Sequence, residues 1–245
     1  MSREEETAPS RALLKLSGEV LAGPSSSTGI DPDVLEAIAG ILAGVVRSGA
    51  RMAVVMGGGN FVRGRSALRF DRVRADYMGM LGTLINGLAL EGALLQAGAR
   101  CLLTSAIPVS GVAGQWDISQ ARRALDAGSI VLCAGGTGNP YLSTDTAAAL
   151  RAVQLECSVL LKGTKVDGVY TGDPAKDPAS RRYSSLTFDE YLERDLGVMD
   201  GAAIAVCREG SLPVVVFDVV SDPRNIASAL ARPEEVGTII GGEQT

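Results

Sequence analysis

Histidine is absent from all 245 residues. With it go the usual general base, the usual zinc ligand and the Ser/His and Cys/His dyads, so any chemistry here runs without an imidazole proton shuttle. The four cysteines, Cys101, Cys133, Cys157 and Cys207, lack CxxC spacing and stand mostly in apolar runs, as buried reduced thiols do. Neither a G-x-x-x-x-G-K-[ST] P-loop nor a G-x-G-x-x-G fingerprint occurs, and no internal repeat is visible. Positive charge is in the minority, 23 Lys and Arg against 28 Asp and Glu, for a net charge of −5. That balance argues against nucleic acid as the main partner, because phosphate backbones are bound by basic patches; free nucleotides remain open.

Long hydrophobic runs are also lacking. MGMLGTLINGLALEGALLQAGA is uncharged only from Met78 to Leu90, shorter than the roughly 18 residues a membrane span needs, and reads as a buried or interface helix rather than a membrane segment. Residues 1–10, MSREEETAPS, are acidic and without a secretory apolar stretch, so a flexible N-terminal tail on a cytoplasmic protein is expected.

What is present is apolar substance, 46% of residues against 21% charged, enough for a large core. Short apolar runs alternate with helical patterns, and the runs end in glycine: ALLKL before Ser17-Gly18, MAVVM before Gly57-Gly58-Gly59, SIVLCA before Gly135-Gly136, SVLLK before Gly163. DPDVLEAIAGILAGVVRSG opens with Asp31-Pro32 as N-cap and first turn and keeps helical spacing up to Gly49. TDTAAALRAVQLE is a second helix, expected to be capped by Thr144 or Asp145. The pattern predicts an α/β fold with a mainly parallel sheet and helices on both faces, where ligands bind outside the carboxyl ends of the strands.

Those ends carry the candidate chemistry. Lys15 sits where the first run meets its loop, beside Ser17 and Gly18; alone it also fits a solvated edge-strand lysine. Gly57, Gly58 and Gly59 let backbone N–H groups approach an anion without a Cβ in the way, and Arg63 follows with a guanidinium fork. In GGTGNPYLSTDTAAALR, Thr137, Asn139, Ser143 and Thr144 supply hydroxyl and amide donors, Gly138 opens the backbone, and Asp145 stands at a helix start.

Taken together, LKLSGE, GGGN with Arg63-Gly64, DRVRADYMGML, SAIP, GTGNPYLSTDTAA, KGTKVDGVYTGDP and VMD closely resemble the bacterial UMP kinases, of the amino acid kinase fold family, in order from about Arg11 to Ile240. The resemblance implies a three-layer αβα sandwich without a P-loop: one domain over 11–245, its N-terminal part mainly the UMP and phosphate side and its part from about 150 mainly the ATP side. It implies transfer of the γ-phosphoryl of ATP to UMP, giving ADP and UDP, with Mg²⁺ accompanying ATP.

By that resemblance Lys15, Ser17, Gly18, Gly59, Arg63, Thr164, Tyr170 and Asp173 fall on the ATP side. Gly58, Asp76, Thr137, Gly138, Asn139, Ser143 and Thr144 fall on the UMP side. Lys15, Arg63, Asp145 and Asp200 are the expected catalytic set, with Asp145 orienting the Lys15 ammonium or a metal-bound water, and Asp200 either positioning catalytic groups or capping the helix that follows. Lys162 and Lys165 compete as a phosphate contact, and no protein metal cage is expected. The resemblance further implies GTP activation, UTP inhibition and a hexamer built from dimers.

Two places depart from the family. Tyr77 replaces a histidine in Asp76-Tyr77-Met78-Gly79-Met80, and the segment associated with GTP, AGPSSSTGID, carries Pro24 and three serines where glycine and aromatics are commoner. Two other readings share the motifs: a family member with another acceptor, such as a carboxylate, a carbamate or another nucleoside monophosphate, and a nucleotide-binding sensor or storage protein on the same scaffold.

Overall fold

The computed structural model describes residues 11–23, 26, 28–62, 71–172, 174, 176–177 and 179–241. Arg63 and Asp173, with Pro24, Ser25 and Ser27 of the 23–29 loop, lie outside the described residues.

In chain order the elements are β1 (Arg11–Leu16), α1 (Gly18–Leu21), α2 (Pro32–Arg47), β2 (Arg51–Met56), α3 (Arg72–Gln96), β3 (Cys101–Ser105), β4 (Gly114–Gln115), α4 (Ile118–Asp126), β5 (Ile130–Ala134), α5 (Thr144–Gln154), β6 (Val159–Thr164), β7 (Ser185–Leu186), α6 (Phe188–Glu193), α7 (Gly201–Glu209), β8 (Val214–Asp218), α8 (Asn225–Ala231), α9 (Pro233–Val236) and β9 (Gly237–Ile240). The strands form one sheet in the order β4-β3-β5-β2-β1-β6-β8-β9-β7. Every pairing is parallel except β8 with β9.

The apolar runs are near-continuous because these strands are covered on both sides. Side chains alternate between the two faces along each strand. Leu14 and Leu16 of β1 and Val54 and Met56 of β2 join a core with Ile38 and Leu42 of α2, Leu84 and Leu90 of α3, and Ile226 of α8. Leu13, Val55, Val131 and Leu160 point the other way, into a second core with Leu125 of α4, Ala148 and Ala152 of α5, and Ile204 and Cys207 of α7. The result is three layers, helix on sheet on helix. Alternation also sends Lys15, two residues after Leu13, and Lys162, two after Leu160, to the α5 face.

The central register pairs Lys15 with both Val55 and Lys162. Two lysines thus stand side by side at the carboxyl end of the sheet. β6 continues one residue past the expected stop at Gly163, pairing Thr164 with Asp218 of β8. Gly163 stays in the strand because a Cβ there would press on Leu16 and Val219.

The helix starting near Met78 is longer than its uncharged stretch. Asp71 caps it, accepting from Arg74 N at 3.1 Å. Among the described residues α3 alone has the length and apolarity of a membrane span. Here its inner side packs on α2, β3 and β5, burying Leu84, Leu90 and Leu94, while Tyr77, Leu81, Ile85 and Leu88 stay exposed.

Candidate active site

Asp145 stands between the two lysines. Its Oδ1 lies 2.7 Å from Lys15 Nζ and its Oδ2 lies 2.7 Å from Lys162 Nζ. Both lysines are buried, 9% and 5% exposed, so the edge-strand alternative for Lys15 does not hold. Burial by itself would raise the Asp145 carboxyl, yet the Lys15 and Lys162 ammonium groups outweigh it and hold the acid below its ordinary value. Burial first, and then the Lys15 charge, push Lys162 down to about 8, against the opposing pull of Asp145. Lys165 is not part of this cluster; it lines a separate cavity described below.

Asp145 reaches the lysines because of how α5 begins. The cap is Ser143, not Thr144 or Asp145: its Oγ accepts from Asp145 N at 2.9 Å and from Thr146 N at 3.2 Å. Capping by the preceding serine frees the Asp145 carboxylate to point toward the strands. Asp200 caps the helix that follows it, and it also binds the start of α5. Its Oδ1 caps α7, accepting from Ala203 N at 2.8 Å, and also accepts from Thr146 Oγ1 at 3.1 Å, while its Oδ2 accepts from Ser143 Oγ. The starts of α5 and α7 are thereby tied together.

The glycine loop lies against the first phosphate-loop candidate. Ser17 caps α1, its Oγ accepting from Glu19 N at 3.3 Å. A Cβ on Gly18 would come within 2.7 Å of Gly57 O and 2.8 Å of Gly59 N, so only glycine lets these turns touch. Gly58, Gly59, Asp76, Thr83, Gly136, Ser143 and Thr144 line a cavity of about 140 Å³ between this loop and α3.

Asp76 is held on its rim. The Arg72 Nε donates to both its oxygens, at 2.8 and 2.7 Å, and Tyr141 N donates to Oδ2 at 2.7 Å. That last bond accompanies a left-handed Tyr141, φ 71°, whose ring lies 5.0 Å from the Arg72 guanidinium. Gly138 turns with φ 82°, and Thr137 Oγ1 accepts from Asn139 N at 3.1 Å, closing the tip of this loop on itself.

A larger cavity, about 650 Å³, is lined by Thr164, two residues past Lys162, and by Lys165, Tyr170, Arg194, Leu196 and Val198. A third, about 350 Å³, is lined by Asp145, Asp200, Ser143, Tyr191 and Met199. No sequence motif marks Tyr191: its hydroxyl accepts from Met199 N at 2.6 Å and donates to Met199 O at 3.0 Å, fixing the turn ahead of Asp200. Thr83 and Asn86 are masked in the sequence by the apolar helix around them, and their polarity within that run is the signal that marks them.

The cluster carries two cations and one anion in a water-poor setting, flanked by glycine turns and the N-terminus of α5. Such a site suits a polyanion, and its position at the strand ends of an αβα sandwich without a P-loop defines a phosphate-transfer class of fold. The family model described as "Amino acid kinase family" matches residues 10–218, and the chain belongs to that family.

The uridylate kinase of Alcanivorax borkumensis is 48% identical over 223 residues, covering 89% of this chain and 88% of that protein. The uridylate kinase of Pseudomonas paraeruginosa is 48% identical over 211 residues, 85% of this chain and 86% of that one. Among solved structures, UMP kinase from Bacillus anthracis superposes with a TM-score of 0.91 at 33% identity, covering 97% of this chain and 98% of that chain. Uridylate kinase from Archaeoglobus fulgidus gives 0.70 at 27% identity, over 94% and 99%.

Proposed function

We propose that this chain is a UMP kinase that transfers the γ-phosphoryl of ATP to UMP, giving UDP and ADP. The observation that carries the reading is the buried Lys15–Asp145–Lys162 cluster, with Thr144, next to Asp145, lining the glycine-rich cavity and Thr164, two residues past Lys162, lining the larger one. The nature of the acceptor rests on the uridylate kinases that share 48% identity with it.

The acceptor phosphate of UMP, with a second pKa near about 6, is already ionised at neutral pH, so the attacking oxygen needs no strong base. A chain without histidine can do this chemistry. What transfer does require is in-line positioning and neutralisation of charge spread over the phosphoryl oxygens. Lys15 and Lys162 supply cationic charge at the transferring group, and the amides of the Gly57–Gly59 loop add donors. Asp145 accepts no proton in this scheme; it holds both ammonium groups where the phosphate arrives.

On the acceptor side stand Gly58, Asp76 and the run Thr137–Thr144 that includes Gly138, Asn139 and Ser143; on the donor side stand Ser17, Gly18, Gly59, Thr164 and Tyr170. Arg63 and Asp173 complete the donor side in the sequence reading. The residues from about 150 onward form most of the donor cavity, within one domain over 11–245.

Mg²⁺ fits this site as a companion of the ATP phosphates. Both Asp145 oxygens are occupied by ammonium groups and Asp200 by hydroxyl and amide donors, so the residues here suit a cation carried largely by phosphate and water. The chemistry such an ion would supply when bound is neutralisation of phosphate charge. The exposed Tyr77, Leu81, Ile85 and Leu88 of α3 support association with further copies of the chain, as in a hexamer of dimers. We extend the reading to a cytoplasmic enzyme of UDP synthesis, activated by GTP and inhibited by UTP.

The test is ADP production by the purified chain with ATP and Mg²⁺, comparing UMP, CMP, dTMP and no acceptor. Turnover selective for UMP is expected. An equal rate with CMP, or none with any acceptor in a folded protein, would overturn the assignment.

A further inference from the structure

Helix α3 runs beneath both loops of the acceptor cavity, and its buried side carries two polar residues that packing alone does not call for. Thr83 is 2% exposed and Asn86 is fully buried. Thr83 Oγ1 donates to Met80 O at 2.6 Å and accepts from Gly135 N at 2.8 Å. Gly135 is where β5 ends and the Thr137–Thr144 loop begins, in a left-handed turn of φ 74°.

Asn86 Nδ2 donates to Gly57 O at 2.7 Å, where β2 ends and the glycine loop begins. It also forms a reciprocal amide pair with Asn60, at 2.8 and 2.9 Å. Asn60 in turn donates to Gly29 O at 2.7 Å and receives Gly29 N at 3.0 Å on its backbone carbonyl. Every polar atom of the two amides is satisfied.

These bonds have a common geometry. Thr83 and Asn86 are three residues apart, so they lie on one helix face, roughly 4.5 Å apart along the axis. β2 and β5 are adjacent strands, and adjacent strands lie about 4.8 Å apart. From one face of α3, the two side chains thus reach the ends of two adjacent strands. The contact is close: a Cβ on Gly58 would run into Gly79 O, and one on Gly82 would stand 3.2 Å from Gly58 O. Asp76, further along the same helix, holds Tyr141 N at the far end of the acceptor loop.

We infer that Thr83 and Asn86 are positioning residues that fix the acceptor loop and the glycine loop relative to one another. The inference deepens the UMP kinase reading and rests on it. Buried hydrogen bonds to backbone groups are costly to lose, and a small shift between the loops misaligns an in-line transfer.

Thr83→Val removes both hydroxyl bonds at nearly constant volume, Thr83→Ser keeps them, and Asn86→Leu removes the amide. Each variant is compared with the full-length wild type by thermal unfolding, by kinetics with UMP and ATP varied in turn, and by calorimetric titration with UMP alone. Thr83→Val is expected to raise both the KM and the Kd for UMP about ten-fold, the scale for leaving the buried Gly135 N–H unpaired, with the ATP KM changed less than about two-fold. Thr83→Ser recovers the wild-type values. Asn86→Leu raises both KM values, because the glycine loop serves both nucleotides.

Variants that lose thermal stability while both KM values and the UMP Kd stay unchanged would reduce these residues to structural ones and overturn the inference, as would failure of Thr83→Ser to recover. If Thr83→Val does not fold, Thr83→Ala is read by the same standard. A wild type that neither binds nor phosphorylates UMP overturns the functional reading instead. The positioning claim then stands or falls on amide hydrogen exchange at residues 57–59 and 135–139, which loss of the Thr83 hydroxyl must accelerate.

Discussion

Lys162 Nζ lies 2.7 Å from Asp145 Oδ2 although the two are 17 residues apart, one in the middle of the sheet and the other in the first turn of a helix. The second oxygen of that carboxylate holds Lys15 at 2.7 Å. Two buried ammonium groups share one carboxylate, so the three-residue cluster carries one positive charge in excess. Burying unbalanced charge is unfavourable, and an arriving phosphate relieves it. The cluster is thus complementary to a polyanion before one binds.

Lys15→Ala should lower kcat by roughly 10² to 10³, the scale for losing one group that stabilises developing charge. The ATP KM should move far less. Steady-state kinetics with ATP varied separates the two; an unchanged kcat with weakened ATP binding would place Lys15 in ground-state binding only.

Asp145→Asn leaves the two ammonium groups facing each other without their carboxylate. Stability should drop by about 3 kcal/mol, the scale for breaking a buried ion pair, as read by urea unfolding. Because Asp145 raises the pKa of Lys162, its removal should also move the alkaline limb of the pH-rate profile to lower pH.

That limb has a definite place in the wild type. Lys162 is pushed to about 8, so kcat/KM for ATP should fall as pH rises through about 8, when the free enzyme loses a cation. Stability runs the other way. Between about 8 and the ordinary lysine value of 10.5, the unfolded chain holds a proton that folded Lys162 has released, so this group's contribution to stability rises with pH across that window. Lys162→Met should abolish both trends, which a pH series of activity and of urea midpoints would reveal.

Asp76→Asn should chiefly raise the KM for UMP, by roughly ten-fold, because its carboxylate anchors Arg72 and the Tyr141 backbone at the acceptor rim. A change confined to the ATP KM would mean that the acceptor cavity has been placed on the wrong side of the cluster.

Asp200→Ala removes the α7 cap and its bonds to Ser143 and Thr146. A loss of about 1–2 kcal/mol is expected from the cap, together with a lower kcat as the start of α5 loosens. Thermal unfolding and turnover measured on the same preparation test both parts.

Much of this was legible in the linear chain because the relevant interactions are local. Strands covered on both faces read as unbroken apolar runs, their glycine-ended turns mark where backbone approaches a ligand, and Asp31 and Pro32 announce α2 through capping chemistry that spans a few residues. The Cys101–Ser105 and Val214–Asp218 strands were less visible, being short and without a glycine stop. The α5 cap cannot be read from the sequence because Ser143, Thr144 and Asp145 are all good capping residues in succession, and only backbone geometry distinguishes them.

The sequence by itself determined the alternation of strand and helix, the absence of imidazole chemistry and the supply of glycines, lysines and hydroxyls at the strand ends, since each depends on residue type and near neighbours. Tertiary structure alone decided which of those groups meet. Pairing β1 with β6 in one register sets Lys15 beside Lys162, the cap of α5 aims Asp145 between them, and α3 brings Thr83 and Asn86 under two loops distant in the chain. Such meetings are set by sheet order, register and the closeness of packed backbones, all products of long-range contacts that no local stretch of sequence contains.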